Sequence, residues 1–216
     1  MPNDLDDFVS KDAYDASLRA LAARGNLRRY RKGTTVIQEG DPGDTMFIVL
    51  SGRVRVYCID EKGKEITFGT FDPGEYFGEM ALDGGNRSAS VITELPTACS
   101  VINRASLLSF IAQYPEFALK LLSKLIHRLR LATRDARNLA FFDVYGRLTQ
   151  YLHELAVPQP DGTERIEERF THREIASRLG CSREMVSRIL KDLESGGYLQ
   201  MADKHIVLVK KLPQGW

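Results

Sequence analysis

The sequence predicts an α+β protein in which a β-rich first half is joined by one long helix to a helical second half. Three observations carry this prediction. Residues 27–101 place apolar side chains at a period of two between glycine-containing turns. Residues 115–142 follow a heptad repeat that contains no glycine and no proline after Pro115. Residues 171–190 combine helix-capping residues with a glycine between two helix-periodic segments.

Composition allows two domains and argues against several classes of protein. With 216 residues, the chain is long enough for two hydrophobic cores. A net charge of +1 argues against a chain that is basic throughout. No apolar run reaches the ~18 residues of a membrane span, and the acidic N-terminus does not resemble a signal peptide. The cysteines fit no disulfide, iron–sulfur or CxxC pattern, so we expect a reducing cytoplasm and no membrane partner.

The first half of the chain begins with a short helix and continues as strands. Residues 11–24 predict an amphipathic helix that Gly25 ends. Frequent turn signals between short period-two segments then predict an antiparallel sandwich or barrel. Its predicted core consists of apolar side chains from these strands, namely Val36, Ile48, Leu50, Val54, Ile66, Phe68, Phe77, Val91 and Val101.

A glycine-rich loop within this region has the composition of an anion-binding site. Glu79 precedes an apolar turn, and Gly84-Gly85 leads to Arg87. Backbone N–H groups in such a loop can face an anion, and an arginine can bind phosphate through two donors. A carboxylate can accept a hydrogen bond from a sugar hydroxyl. The structural alternative is a plain turn beside a Glu79–Arg87 ion pair.

The same loop resembles the phosphate-binding cassette of cyclic nucleotide-binding domains. The resemblance rests on residues 77–82 (Phe-Gly-Glu-Met-Ala-Leu), on residues 87–89 (Arg-Ser-Ala) and on the glycine-punctuated stretch 40–54. It implies that residues 1–114 form a double-stranded β-helix, or jelly roll, that binds a cyclic nucleotide.

The resemblance also implies a role for individual residues of the cassette. Glu79 would bind the ribose 2′-hydroxyl, while Arg87 and Ser88 would hold the cyclic phosphate. Backbone groups beside the ligand would come from Gly78, Glu79, Met80 and Ala81.

The helix 115–142 is predicted to pair two copies of the chain, after a short helix over residues 104–113. One heptad stripe is small or aliphatic and consists of Ala118, Leu122, Leu125, Leu129, Ala132, Ala136 and Leu139. A second apolar set requires a partner within the chain and includes Phe117, Leu121 and Phe141. The stripe then remains available to a second copy. The alternative is an amphipathic helix packed only on its own domain.

Residues 143–216 are predicted to form a separate domain. Residues 143–156 predict a helix, closed by the proline-containing loop 157–162. Thr171 with Glu174 has the pattern of a capping box, Gly180 suits a helix end, and Ser182 suits the next helix start. Two helices joined by a tight turn follow from this spacing.

This spacing predicts a helix-turn-helix whose second helix enters the major groove of DNA. Arg183 and Arg188 can bind guanine, and Glu184 can accept from cytosine. A two-stranded wing would place Lys204 and His205 at its tip, where they can contact phosphate. Further predicted DNA contacts lie at the helix starts, namely Thr171, Arg173 and Ser182. The alternative is a helical hairpin with a solvated charged face.

The order of cassette, long helix and helix-turn-helix resembles the CRP/FNR family of transcription regulators. Residues 138–147 and 180–190 carry the most specific part of this resemblance. It implies a homodimer that binds a palindromic operator in double-stranded DNA. It also implies contact with RNA polymerase, for which the loop 157–162 is a candidate by position. The oxygen-sensing branch of the family needs an N-terminal cysteine cluster, which this chain lacks.

The effector is predicted to be a cyclic nucleotide bound between the barrel and the long helix, with cyclic AMP favoured. In members that bind cyclic AMP, adjacent hydroxyl residues of the helix contact adenine. This chain has Ala132 and Thr133 there, so Thr133 is the candidate contact. Arg134, Asp135 and Arg137 carry the groups that suit guanine, so cyclic GMP and cyclic di-GMP remain open.

Two other functional classes remain open from the sequence. A ligand-sensing regulatory subunit of a partner enzyme would use the same cassette, but the intact recognition helix argues against it. An enzyme would need Glu79 or His172 as acid or base. Glu79 has no second carboxylate, nucleophile or metal-ligand set nearby in the sequence, and His172 has the pattern of a surface helix residue. We therefore predict no catalytic residue and no metal site.

Overall fold

The computed structural model describes residues 4–11 and 14–213 and divides the chain into two compact units. Unit 1 comprises Met1–Cys58 and Thr67–His127, and unit 2 comprises Ile59–Ile66 and Arg128–Trp216. The division at residues 114 and 142 that the sequence favours stays a prediction.

Two short helices precede the strands of unit 1. Helix α1 spans Asp4–Ser10 and was not expected from the sequence. Helix α2 spans Ala16–Ala22 and is shorter than the predicted 11–24, part of which lies outside the described residues. The Asp15 carboxylate caps α2 by accepting from the backbone N–H groups of Ser17 and Leu18. Gly25 is required by close packing, because a Cβ there would lie 2.1 Å from the Ser100 hydroxyl oxygen.

The strands form two four-stranded antiparallel sheets, which confirms the predicted jelly roll. One sheet has the order β1-β8-β3-β6 and the other has the order β2-β7-β4-β5. The elements are β1 (Asn26–Tyr30), β2 (Thr35–Ile37), β3 (Thr45–Ser51), β4 (Val54–Ile59), β5 (Glu65–Phe71), β6 (Tyr76–Phe77), a 3-10 helix (Glu79–Asp83), β7 (Ser90–Thr93) and β8 (Thr97–Asn103).

Most of the predicted core residues of this barrel are buried, with one clear exception. Ile48, Leu50, Val54, Phe77 and Val91 are buried, and Val36 and Val101 pack against the core at partial exposure. Ile66 is half-buried. The prediction for Phe68 was wrong, since 61% of its surface is exposed while the neighbouring Thr67 is buried. Strand β5 is an edge strand, and a one-residue change of register exchanges its inward and outward faces.

Helices α3 (Arg104–Gln113) and α4 (Pro115–Phe141) follow the barrel and confirm the predicted helices. Phe117 and Leu121 are buried in unit 1, as predicted, but Phe141 is 78% exposed and its predicted intrachain partner is wrong. Leu125 packs at partial burial against the same core. Neither α4 nor any other described helix is long and apolar enough to span a membrane.

Five of the seven predicted stripe residues are exposed on α4, namely Leu122, Leu129, Ala132, Ala136 and Leu139, while Ala118 and Leu125 are partly buried. An exposed face of large aliphatic side chains overlaps this stripe at Leu122 and Leu129. We call this face the seam; it consists of Leu119, Leu122, Ile126 and Leu129, which are 67, 52, 41 and 67% exposed. Their spacings of three, four and three residues keep them on one side of the helix. The heptad spacing of the prediction is kept, and the seam differs from the predicted stripe by having Leu119 and Ile126 in place of Ala118 and Leu125.

Unit 2 contains a helix-turn-helix and a four-stranded antiparallel sheet of order β11-β12-β10-β9. The wing is thus larger than the predicted pair of strands, because residues 156–166 form a hairpin that joins it. The elements are α5 (Val144–Leu155), β9 (Ala156–Pro158), β10 (Glu164–Ile166), α6 (His172–Leu179), α7 (Arg183–Ser195), β11 (Leu199–Ala202) and β12 (His205–Leu208). Their apolar faces share one core, which includes Leu148, Leu152, Ile175, Val186, Leu193 and Ile206.

Candidate functional site

The guanidinium of Arg87 is fixed at the centre of the cassette by three hydrogen bonds. Its Nη1 donates to the carbonyl oxygens of Thr45 (2.9 Å) and Gly78 (3.1 Å), and its Nη2 donates to the Thr45 hydroxyl (2.9 Å). The guanidinium carbon also lies 5.9 Å from the centre of the Phe47 ring. Arginine has five N–H donors, so in the described residues these bonds leave one Nη2–H and the Nε–H, which packs against Gly43.

Two glycines make room for this guanidinium. A Cβ at Gly43 would lie 2.2 Å from Arg87 Nε, and a Cβ at Gly78 would lie 2.9 Å from Arg87 Nη1. Gly78 also has a φ of +78°, which favours glycine on conformational grounds. The backbone of Arg87 is held as well, since its N–H donates to the Asp41 carbonyl over 2.8 Å. The glycines that mark the motif in the sequence therefore shape the arginine pocket.

The electrostatic environment of Arg87 combines burial with three carboxylates. Burial lowers the pKa of Arg87, and the charges of Asp44, Asp41 and Glu79 act in the opposite direction. Glu79 begins the 3-10 helix and is itself buried, with 6% of its surface exposed. A buried carboxylate beside a partly buried guanidinium can accept from a ligand hydroxyl while the arginine binds an anion.

Ser88 and Met80 lie together on the exposed side of the cassette. The Ser88 hydroxyl donates to the Met80 thioether sulfur over 3.2 Å. The Cys58 thiol donates to the Ser88 carbonyl oxygen over 3.6 Å. Ala81 belongs to the same 3-10 helix, although its side chain lies outside the description. The fold thus places the predicted ligand residues from Gly78 to Ser88 in one compact site.

Thr133, the ligand contact predicted on the long helix, belongs to unit 2. Its side chain is exposed on α4, and its hydroxyl donates to the Leu129 carbonyl oxygen over 2.9 Å. Arg134, one of the residues that suits guanine, lies 3.9 Å from Asp135 and 3.5 Å from Glu154 through its guanidinium nitrogens. The ligand contacts predicted for this helix stay predictions.

The helix-turn-helix is built by the caps that the sequence predicts. The Thr171 hydroxyl accepts from the Glu174 N–H over 3.2 Å, and Glu174 accepts in return from the Thr171 N–H over 2.6 Å. Gly180 ends α6 in the left-handed conformation, with φ of +62°. The Ser182 hydroxyl then accepts from the Met185 N–H over 3.2 Å and starts α7. These local bonds set the geometry of the recognition helix.

The predicted DNA-contacting residues are all exposed, namely Thr171, Arg173, Ser182, Arg183, Glu184, Arg188 and Lys204. Within the described residues, no hydrogen bond or ion pair engages the side chains of Arg173, Arg183, Glu184 or Lys204. Arg188 donates to the Met185 sulfur over 2.9 Å. Lys204 lies in the β11–β12 turn with a φ of +66°. Charges without intramolecular partners are available to phosphates and base edges.

Two histidines of unit 2 differ from expectation. His205 is buried rather than at a DNA-facing tip, and its Nδ1 lies 3.1 Å from the Ile166 carbonyl oxygen. Its Nε2 accepts from Arg169 Nε over 3.3 Å, so the ring serves the domain core. His172, expected as a surface residue, is half-buried, and its Nδ1 lies 2.8 Å from the Ser187 hydroxyl. That pair joins α6 to α7, and no local pattern links residues so far apart in the chain.

The cysteines and acidic residues show no arrangement for metal or disulfide chemistry in the described part of the chain. Cys58, Cys99 and Cys181 are unpaired, and no three His, Cys, Asp or Glu side chains there are grouped to hold a metal ion. Burial raises the pKa of Cys99 to about 12, so that thiol is protonated near neutral pH.

Comparison with known proteins identifies both halves of the chain. Residues 27–114 match the cyclic nucleotide-binding domain model, and residues 146–213 match the Crp-like helix-turn-helix domain model. A cyclic nucleotide-binding domain followed by a DNA-binding domain defines a ligand-regulated transcription factor.

Curated relatives and solved structures extend the match over most of the chain. The chain is 34% identical to the cAMP-activated global transcriptional regulator Vfr of Pseudomonas aeruginosa, covering 88% of this chain and 92% of Vfr. It is 33% identical to the cAMP-activated regulator CRP of Salmonella typhimurium, covering 93 and 97% of the two chains. The structure of the c-di-GMP responsive regulator CLP of Xanthomonas campestris superposes with a TM-score of 0.76 at 31% identity, covering 90 and 99%.

The chain belongs to the CRP/FNR family of transcription regulators. It is a cyclic nucleotide-binding, DNA-binding regulator, and its relatives are transcription regulators rather than enzymes.

Proposed function

We propose that this protein is a homodimeric, sequence-specific transcription regulator switched by a cyclic nucleotide, with cyclic AMP as the favoured effector. The anchoring of Arg87 is the observation that carries the proposal. Thr45 and Gly78 hold its guanidinium while one Nη2–H and the Nε–H remain, and the buried Glu79 lies beside it. A fixed guanidinium binds an anion at low conformational cost, because its side chain is already ordered.

The cassette has complementary groups for the two polar ends of a cyclic nucleotide. Arg87 and Ser88 would bind the cyclic phosphate, and Glu79 would accept from the ribose 2′-hydroxyl. The backbone groups of residues 78–81 would approach the ligand closely. The site needs no metal, because the guanidinium supplies the positive charge.

Cyclic AMP is favoured over guanine nucleotides on two grounds. Two relatives at 33–34% identity are named as cAMP-activated regulators. Arg134, which would serve a guanine base, is already within 3.5 Å of Glu154. Thr133 would then contact adenine, after giving up its bond to the Leu129 carbonyl.

Cyclic di-GMP is the second candidate, and cyclic GMP would use the same groups. The c-di-GMP responsive relative shares 31% identity over 90% of this chain. Asp135 is 67% exposed and could pair with N1 and N2 of a guanine, the edge that a carboxylate recognises. For this ligand Arg134 would exchange its intramolecular carboxylates for the N7/O6 edge of the base.

Dimerisation would proceed through the seam on α4. Four large aliphatic side chains lie on one face of that helix with 41–67% of their surface exposed. A second copy would remove them from water at about 25 cal/mol per Å² of apolar surface. The palindromic operator that we propose follows from this symmetry, since two identical reading heads require two inverted half-sites.

Each half-site would be read from the start of α7. Arg183 and Arg188 would bind guanine bases, and Glu184 would accept from cytosine. Thr171, Arg173, Ser182 and Lys204 would contact phosphates and fix the register. We further propose that the regulator works in the cytoplasm and contacts RNA polymerase, with residues 157–162, which span the end of β9 and most of the β9–β10 turn, as the candidate contact.

Switching would depend on a ligand that binds one arrangement of the dimer better than another. A nucleotide held by the cassette and touching α4 would shift the register of the seam or extend its ordered part. Two reading heads attached to α4 would then match or miss the operator spacing.

Calorimetric titration with cyclic AMP, cyclic GMP and cyclic di-GMP tests the proposal. We expect cyclic AMP to bind most tightly and Arg87→Ala to weaken its binding by roughly a hundredfold. Arg53→Ala is the matched control, because Arg53 is a barrel arginine whose named partner is Asp72, away from the cassette. Tightest binding of cyclic di-GMP would favour the second candidate, and no binding of any nucleotide would refute the proposed switch.

A further inference from the structure

On the exposed side of the cassette, the thioether of Met80 is hydrogen-bonded to Ser88, the residue that we propose binds the phosphate. Met80 is 56% exposed, and its sulfur accepts a hydrogen bond from the Ser88 hydroxyl, with 3.2 Å between sulfur and oxygen. A thioether is a weak acceptor, so an arriving phosphate oxygen easily takes the Ser88 hydroxyl from it. The same sulfur is also open to water-borne oxidants.

We propose that Met80 is an oxidation site that lowers the affinity of the cassette for its cyclic nucleotide. This inference rests on the proposed function of Ser88 as a phosphate ligand. Hydrogen peroxide would transfer one oxygen atom to the Met80 sulfur, giving the sulfoxide and one molecule of water. The sulfur is oxidised by two electrons and the peroxide is reduced by two. Methionine sulfoxide reductases reverse this modification, so the effect would be reversible.

The sulfoxide changes the cassette in two ways. Its oxygen is a strong acceptor that holds the Ser88 hydroxyl and withholds it from the phosphate. It also places partial negative charge beside the position where the phosphate binds. Both effects oppose the ligand, and loss of one hydrogen bond to a charged group predicts about tenfold weaker binding.

The other sulfur groups of the chain are poorer candidates or useful controls. Met46 is buried at 2% exposure. The Cys58 thiol contacts the Ser88 carbonyl, and burial raises its pKa to about 11, so it carries little thiolate to react with peroxide. Met201 is 50% exposed on β11, in unit 2, and therefore matches Met80 in access to solvent but not in position.

The experiment uses the full chain before and after mild treatment with hydrogen peroxide. Peptide mass spectrometry measures the oxygen gained at Met80 and at Met201, and calorimetry measures the Kd of the tightest-binding cyclic nucleotide. Met80→Leu and Met201→Leu are treated in parallel, each compared with its own untreated sample. Ser88→Ala, compared in the same way, reports whether the effect passes through the hydroxyl.

We expect the Kd to rise about tenfold in the treated native chain and in Met201→Leu. It should stay constant in Met80→Leu, and Ser88→Ala should show a much smaller rise. Full oxidation of Met80 with an unchanged Kd would overturn the inference and leave the proposed function intact. An untreated chain that binds no cyclic nucleotide would instead refute the proposed function, and the inference with it.

Discussion

The cassette and the recognition helix present their charges in opposite ways. In the cassette, Arg87 is partly buried and bonded to Thr45 and Gly78. On the recognition helix, Arg183 and Glu184 are exposed and have no intramolecular partner in the described residues. A pocket for a small anion must be ordered before the ligand arrives, whereas a groove-reading surface gains its partners only from DNA. Substitutions in the two regions should therefore have different costs.

The largest expected effect comes from the seam, whose side chains are apolar and exposed in the single chain. Leu129→Glu would place a carboxylate in each half of the proposed dimer interface. We expect a monomer in sedimentation velocity and a loss of operator affinity on the order of a hundredfold, because two linked half-site contacts become independent. Leu131→Glu is the matched control, because Leu131 lies two residues from Leu129 and therefore on the other side of α4, outside the seam.

The next effect concerns the cassette, where one substitution should weaken ligand binding and also destabilise the fold. Arg87→Ala should weaken cyclic nucleotide binding by roughly a hundredfold, because a fixed cationic ligand is lost. It should also lower the free energy of unfolding by about 2 kcal/mol, since the Thr45 and Gly78 carbonyls lose their donor. Titration calorimetry and urea unfolding measure the two costs. An unchanged free energy of unfolding would contradict the structural part of this role.

The recognition helix should show a binding cost alone. Arg183→Ala should weaken binding to the preferred operator by about 1–3 kcal/mol while leaving unfolding within about 0.5 kcal/mol of the native chain. Arg173→Ala should instead weaken binding to all DNA sequences alike and reduce the salt dependence by about one phosphate contact. Equal loss on every sequence for Arg183→Ala would refute base reading by that residue.

The smallest effect concerns a charge pair within unit 1. A hydrogen bond from Lys120, together with the Ser17 hydroxyl, lowers the pKa of Asp15 from 3.8 to about 2. Because the folded pKa is the lower one, the stabilisation is complete above pH 3.8 and disappears as the pH falls through 2. Asp15→Asn retains a good helix cap and should cost about 1 kcal/mol or less at pH 7, since both side chains are largely exposed. Urea unfolding should show the full difference at pH 7 and only a small part of it near pH 2.

The sequence predicted well those features that depend on neighbours in the chain. The Thr171 capping box, the left-handed Gly180 and the Ser182 cap all form as expected, because each needs only residues three or four positions away. The antiparallel sandwich or barrel followed from a period of two and from turn glycines, and the resemblance carried by the cassette motif implied the jelly roll.

The features that the sequence missed depend on which element covers which face. Leu125 points to the barrel rather than to the seam, and Phe68 points to water on an edge strand. His205 follows Lys204 in a turn that the sequence predicts to be a wing tip. Its two ring nitrogens instead contact the Ile166 carbonyl oxygen and Arg169 Nε. The packing role of Gly43 against Arg87 likewise needs the three-dimensional fold, because the two residues are far apart in the chain.

The coupling between cyclic nucleotide binding and DNA binding is tested most directly by the affinity of the protein for its palindromic operator. Fluorescence anisotropy at one salt concentration measures that affinity. Saturating cyclic nucleotide should change the Kd by about tenfold or more, the usual size of a coupling between two sites. Arg87→Ala should abolish that change without abolishing DNA binding. Equal affinities with and without nucleotide, in a chain that binds both ligands, would contradict the proposed switch.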